Sequence, residues 1–121
     1  MLRRQVLRIL PAAFFSAARP AQTRAAGKPK LLYFTRSAGF EHSVVKRNGN
    51  ELSHSEKILV EMGQRDGFDV QCSKEGRLFD GDLDQYAAFA FYTTGDLTQP
   101  AKDSSPPMTA SGKRRLRSCR S

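Results

Sequence analysis

The chain has 121 residues and a mass of 13.5 kDa, with 39% hydrophobic residues, eight Phe and three Tyr, enough for one small core and too little for a multidomain enzyme. Its formal charge of +8 divides into +7 over residues 1–30, −4 over 31–100 and +5 over 101–121. The middle is therefore acidic, and composition gives no argument for a nucleic-acid partner.

Arg3, Arg4 and Arg8 precede a short apolar run, Ile9 to Ala18, and small residues follow at Ser16, Ala17, Ala18, Ala25 and Ala26. That order fits an export signal over 1–27, and Arg3-Arg4 followed by Gln5 to Arg8 matches the twin-arginine pattern. A mitochondrial presequence is the runner-up, since the segment is Arg-rich and acid-free. Pro11 and the brevity of the run exclude a spanning helix, which needs ~20 apolar residues, so no integral membrane segment is expected.

Lys30 to Arg36 is a nearly continuous apolar run between Pro29 and Gly39, the pattern of a strand buried on both faces. Ser53-His54-Ser55-Glu56 has the spacing of a capping box, which opens a helix over about Ser53–Arg65. Ile58, Leu59, Met62 and Val60 are its expected inner face and Glu56, Lys57, Glu61, Gln64 and Arg65 its wet one, with Gly67 placed for a left-handed C-cap. Phe68, Val70 and Cys72 alternate with polar residues and predict a second strand, so the three elements form a βαβ unit. Leu78, Phe79, Leu83 and Tyr86 punctuate an acidic connection carrying Asp80, Asp82 and Asp84, and Ala87 to Thr93 predicts a third strand. The expected order is 2-1-3, with a ligand crevice beyond the carboxyl ends of the strands. Lys102 to Ser121 reads as unable to order itself: Met108 and Leu116 are its only large aliphatic side chains, and a helix capped by Thr109 or Ser111 has basic residues where its apolar stripe belongs.

The segment Lys30 to Ser43, with its Gly39-Phe40-Glu41-His42 turn, then Gly67-Phe68-Asp69-Val70, then Tyr86 and a strand closed by Thr93-Thr94-Gly95-Asp96, resembles the start of the ThuA-like (trehalose utilisation) family. Leu97 to Pro100 and Pro106 to Lys113 extend the likeness to the exported bacterial branch, over about residues 28–113. The resemblance implies an α/β fold, a partial flavodoxin-like (class I glutamine amidotransferase-like) parallel sheet truncated after its third strand, with 114–121 as an aberrant basic tail. It implies carbohydrate utilisation, of trehalose or a related sugar, by a chain that is exported to the periplasm or beyond and is itself an incomplete, inactive fragment. The exposed faces of Leu31, Tyr33, Phe89 and Phe91 are then expected to drive association.

The crevice would take a sugar with Thr35, Arg36, Gly39, His42, Thr94, Gly95 and Asp96 around it, His42 being the candidate general base. His54 falls in the first helical turn and faces solvent. Two His in different elements and scattered Asp do not make a metal set, Asp80 to Asp84 lacks the calcium-loop Gly and Glu, and no cofactor is expected. Cys72 is followed by Ser73-Lys74-Glu75 and not by a nucleophile elbow, so glutaminase chemistry is not expected, and a bridge from Cys72 to Cys119 would be incidental. Three readings stay open: a sugar-processing or sugar-binding domain, a truncated reading frame or interaction fragment without activity of its own, and a basic tail that meets nucleic acid or anionic lipid. Whether the domain is catalytic, and its oligomeric state, are left open by the sequence.

Overall fold

The computed structural model describes residues 27–119. Residues 1–26, on which the expected leader rests, lie outside the described residues.

Three parallel strands form one sheet: β1 (Lys30–Phe34), β2 (Asp69–Ser73) and β3 (Ala88–Phe91), in the order β2-β1-β3. The order expected from the sequence is the observed one. Lys30 pairs with Asp69 and Leu31 with Ala88, so the most apolar strand takes the centre, where both edges of its backbone are satisfied. Helix α1 (His54–Asp66) joins β1 to β2 and covers the face carrying Tyr33, whose hydroxyl donates to Ser55 Oγ at 3.2 Å. Its start obeys the capping signal: Glu56 reaches back to accept from the Ser53 N–H at 2.9 Å. Its end is Gly67, at φ 84°, a left-handed position that costs glycine nothing.

The inner face of α1 follows the expectation at Leu59 and Val60, which are half-buried, and departs from it at three other positions. Ile58 and Met62 are exposed, at 47% and 38%, and Glu56, assigned to the wet side, is fully buried. The helix meets the sheet through its charged N-terminal turn and the bare backbone of Gly63, because Glu56 finds enough donors beneath β1 to make its burial tolerable.

The opposite face of the sheet holds the core. Leu32 and Phe34 of β1 pack with Phe79, Leu83, Tyr86 and Met108, and Phe89, Leu97 and Leu116 complete the cluster. Phe79 belongs to a 3-10 turn, Gly76–Asp80, inside the connection read from sequence as acidic; its ring meets Phe34 edge-on at 5.0 Å and stacks on Phe91 at 5.9 Å. The Asp side chains of that connection do face water, while its hydrophobic residues turn inward.

A second correction concerns the basic segment. Ala110–Ser118 is a helix, α2, despite its lack of an apolar stripe. Thr109 caps it, accepting from the Gly112 N–H at 2.9 Å and donating to Asp80 Oδ1, and Arg115 Nη1 donates to the Asp80 carbonyl at 2.5 Å. Its inner face is Gly112, whose Cα lies so near Phe79 that an added Cβ would stand 2.9 Å from the Phe79 Cβ, together with Leu116. Met108, just ahead of it, is buried. A helix reduced to glycine at its contact needs no stripe, since its backbone supplies the packing surface. Tyr33 is covered on the α1 side and Leu31 and Phe89 are half-covered; of the four residues expected to be bare, Phe91 alone is exposed.

Candidate functional site

Beyond the carboxyl ends of β1 and β3 the two chains continue side by side, with Ser37 bridged to Thr94. The Thr94 carbonyl accepts from Ala38 at 2.9 Å and Gly39 at 3.3 Å, and the Thr94 hydroxyl donates to the Phe40 carbonyl. Gly95 is at φ 74° and approaches Gly39 so closely that a Cβ there would lie 2.6 Å from the Gly39 nitrogen, so only glycine permits this crossing. The two segments expected at the crevice do emerge together.

They do not all converge on one cavity. Thr35 is fully buried and donates to Glu56 Oε1 at 2.8 Å. Arg36 is also fully buried, and its fork donates to the carbonyls of Leu97 at 2.8 Å and Gln99 at 2.5 Å, tying segment 97–105 to the end of β1. Burial pulls its guanidinium below the ordinary range, against the opposing charge of Asp103. Both residues hold the frame and face no open cavity. His42 is exposed, its ring edge-on to Phe40 at 5.0 Å and to Tyr92 at 5.6 Å. Asp96 accepts from the Thr98 N–H at 3.0 Å and hydroxyl at 2.7 Å, which hold its carboxyl below the usual carboxylate range.

Two cavities lie near these residues. One, about 810 Å³, runs between β3 and α2 and takes Gly95 and Asp96 into walls built mainly from Phe89, Phe91, Leu97, Met108 and Leu116. It is the seam between α2 and the sheet. The other, about 720 Å³, opens at the carboxyl ends of β1 and β2 and is lined by Ser37, Gly39, Phe40, Glu41, Lys46, Arg47, Lys74, Lys102, Asp103 and Ser105, with Gly49 at its edge. Of the seven residues proposed from sequence, Gly39 alone lines it.

The second cavity has the features of a built site. Lys74, the first residue after β2, is 9% exposed and donates to the Thr35 carbonyl and to Glu41 Oε2, each at 3.0 Å, with Asp103 Oδ2 at 3.9 Å. One ammonium thus gathers the ends of β1 and β2 and both neighbouring loops. Burial pushes the Asp103 carboxyl up, but the bonds from Ser105 and the charges of Lys74 and Arg36 outweigh it and hold it below the ordinary range. Arg47, on the cavity wall, is fixed by a bidentate pair with Glu56, at 2.8 and 2.9 Å. Phe40 presents an aromatic ring that is 71% exposed. Ser37 is 4% exposed, and its hydroxyl is buried with no hydrogen-bond partner among the described residues, an arrangement that costs about 1–3 kcal/mol.

Sequence reading missed Ser37 and Lys74, although Lys74 directly follows β2 and Ser37 lies three residues past β1, at the crevice end where such sheets keep their ligand contacts. Burial and the Glu56 charge, against the Arg47 charge, push the Cys72 thiol up to about 11, so no thiolate is available there at neutral pH. Cys72 and Cys119 are both free. Among the described residues no group of three or more His, Cys, Asp and Glu is placed to hold a metal ion, and no helix is long and apolar enough to cross a membrane. No family model, curated protein or solved structure matches the chain.

Proposed function

We propose that this chain is a small α/β domain of the ThuA-like, flavodoxin-like kind that binds a carbohydrate in the cavity beyond the carboxyl ends of β1 and β2. The observation that carries the reading is a cavity of about 720 Å³ whose walls are carboxylates, ammonium groups and one exposed ring, with Ser37 and Ser105 among its lining residues. Sugars present many hydroxyls that both donate and accept, and they are held by such mixed polar walls with an aromatic face against the ring's C–H groups. The cavity volume falls within the range of small-molecule sites, roughly 300–1,000 Å³. The strand order and the Gly39-Phe40-Glu41-His42 turn support the family reading, and the leader-like residues 1–27 support export. His42 stands behind Phe40 in this reading and sets the angle of its ring.

Titration of the full chain with glucose and trehalose, followed by amide chemical shifts, tests this. Shifts are expected at Ser37, Gly39, Phe40 and Lys74 with a dissociation constant on the order of 1 mM, since an open cavity leaves much of a sugar hydrated. Phe40→Ala should weaken binding several-fold. Absence of shifts with both sugars, or shifts confined to the α2 seam, would remove the reading.

A second reading, an association module without a ligand, is favoured by Ile58 and Met62, one turn apart and exposed on α1, and by exposed Phe91 on the edge strand. Concentration-dependent elution on size exclusion that Ile58→Ser with Met62→Ser abolishes would support it.

A further inference from the structure

The walls of the second cavity carry four cations, Lys46, Arg47, Lys74 and Lys102, against two carboxylates, Glu41 and Asp103. The pairing among them is specific. Arg47 is committed to Glu56, outside the cavity wall. Glu41 and Asp103 are both turned to Lys74, and Asp103 spends its other oxygen on the Ser105 N–H and hydroxyl, at 3.0 and 2.6 Å. Lys46 and Lys102 are left as exposed ammonium groups with no carboxylate within ion-pair distance among the described residues. Lys74 offsets one of the two wall carboxylate charges, and with Arg47 paired to Glu56 the three lysines against Glu41 and Asp103 leave the cavity wall about one unit positive. Ser37 is among the residues that line the same cavity.

We infer that the ligand of this cavity is an anionic sugar, carrying a phosphate or carboxylate that Lys46 and Lys102 neutralise. This rests on the carbohydrate reading for the sugar part and on the charge pattern for the anion. Exposed lysines contribute through attraction in partial solvent, so the gain over the neutral sugar is modest and falls with ionic strength, as the screening length shortens from about 30 Å to about 8 Å between 0.01 M and 0.15 M salt.

Four probes are titrated into the full chain at low salt: glucose, glucose 6-phosphate, glucuronate and inorganic phosphate. The expected result is binding of glucose 6-phosphate about tenfold tighter than glucose, with glucuronate between them, and shifts at Ser37, Lys46 and Lys102 with phosphate alone. In the Lys46→Ala, Lys102→Ala double variant the ratio of the glucose 6-phosphate and glucose affinities should collapse to about one, with the thermal midpoint unchanged because both residues are exposed. Preference for glucose 6-phosphate over glucuronate assigns the phosphate, and the reverse assigns the carboxylate. Equal affinities for glucose and both of its anionic forms would overturn the anion inference and leave the sugar reading standing. Phosphate binding without any sugar-dependent gain would retain the anion and remove the sugar. No shifts with any probe would overturn both.

Discussion

Replacement of Glu56 is the sharpest test of how this fold is held, because the carboxylate is fully buried and accepts four hydrogen bonds. They come from Thr35 Oγ1, the Ser53 N–H and two nitrogens of Arg47, and so join β1, the start of α1 and the loop between them. Glu56→Ala removes the acceptor for all of them at once. Breaking a buried ion pair by deleting one partner costs about 3–5 kcal/mol. The Arg47 side chain retains 26% exposure and can turn to water, which places the expected loss near the lower end, about 3 kcal/mol. That is a large share of the 5–15 kcal/mol of a typical domain. Glu56→Gln keeps the volume and one acceptor oxygen but sets an amide N–H₂ against a donor, for a loss of roughly 1–3 kcal/mol. Burial pushes the Glu56 carboxyl up, yet the bonds from Arg47, Ser53 and Thr35 outweigh it, and its folded pKa lies below the ordinary 4.5. A depressed folded value contributes stability that is complete above pH 4.5 and is lost as pH falls toward the folded pKa. Urea unfolding followed by far-UV circular dichroism, at neutral pH and in steps below pH 5, measures both effects. Glu56→Gln should be less stable at neutral pH and show a shallower decline on the acid side. Losses below about 1 kcal/mol for both variants would mean that the pair behaves like a surface ion pair, and the argument would fail.

Gly76→Ala would place a Cβ 2.2 Å from the Met108 nitrogen, where only backbone could yield, and should cost about 3 kcal/mol in urea unfolding while loosening α2. Thr109→Ala removes the cap of α2 and its bond to Asp80, and a loss of about 1 kcal/mol with faster hydrogen exchange over Ala110–Ser118 is expected. At pH 8 the thiolate fraction of Cys72 is about a thousandth, so iodoacetamide should label exposed Cys119 first and Cys72 far more slowly; equal rates by peptide mass spectrometry would contradict the burial of Cys72. His42→Ala should leave stability within about 0.5 kcal/mol, as expected of an exposed ring, and weaken sugar binding only through Phe40.

The strands, their order, the capping signal at Ser53–Glu56 and the Gly67 stop were legible because each follows from local pattern: an apolar run, an alternation, a spacing, a glycine where φ is positive. Where a contact is made by backbone or by a charge, the pattern is silent. Helix α2 docks through Gly112, which no search for an apolar stripe finds. Helix α1 buries Glu56 and leaves Ile58 and Met62 in water, an inversion that depends on Arg47 and Thr35 arriving from elsewhere in the chain. The site was half legible for the same reason. The crossing of Gly39 and Gly95 was expected from strand ends, whereas the cavity beside it depends on Lys74 meeting Glu41 and Asp103, residues 33 and 29 positions away.

The central place of β1 has a consequence for how the chain comes to be folded. It is the first strand among the described residues, yet its partners come much later: Lys30 pairs with a residue 39 positions on, and Leu31 with one 57 positions on. The Arg36 guanidinium finds its acceptors later still, at Leu97 and Gln99. A nascent chain therefore carries an apolar strand with both hydrogen-bonding edges open, and a cation whose eventual carbonyl acceptors are not yet made, until most of the domain has been synthesised. Such long-range pairing slows folding and prolongs the interval in which sticky edges are bare. Demand for a holding chaperone should thus centre on Lys30–Phe34 and end when the segment around Gln99 emerges to close over Arg36.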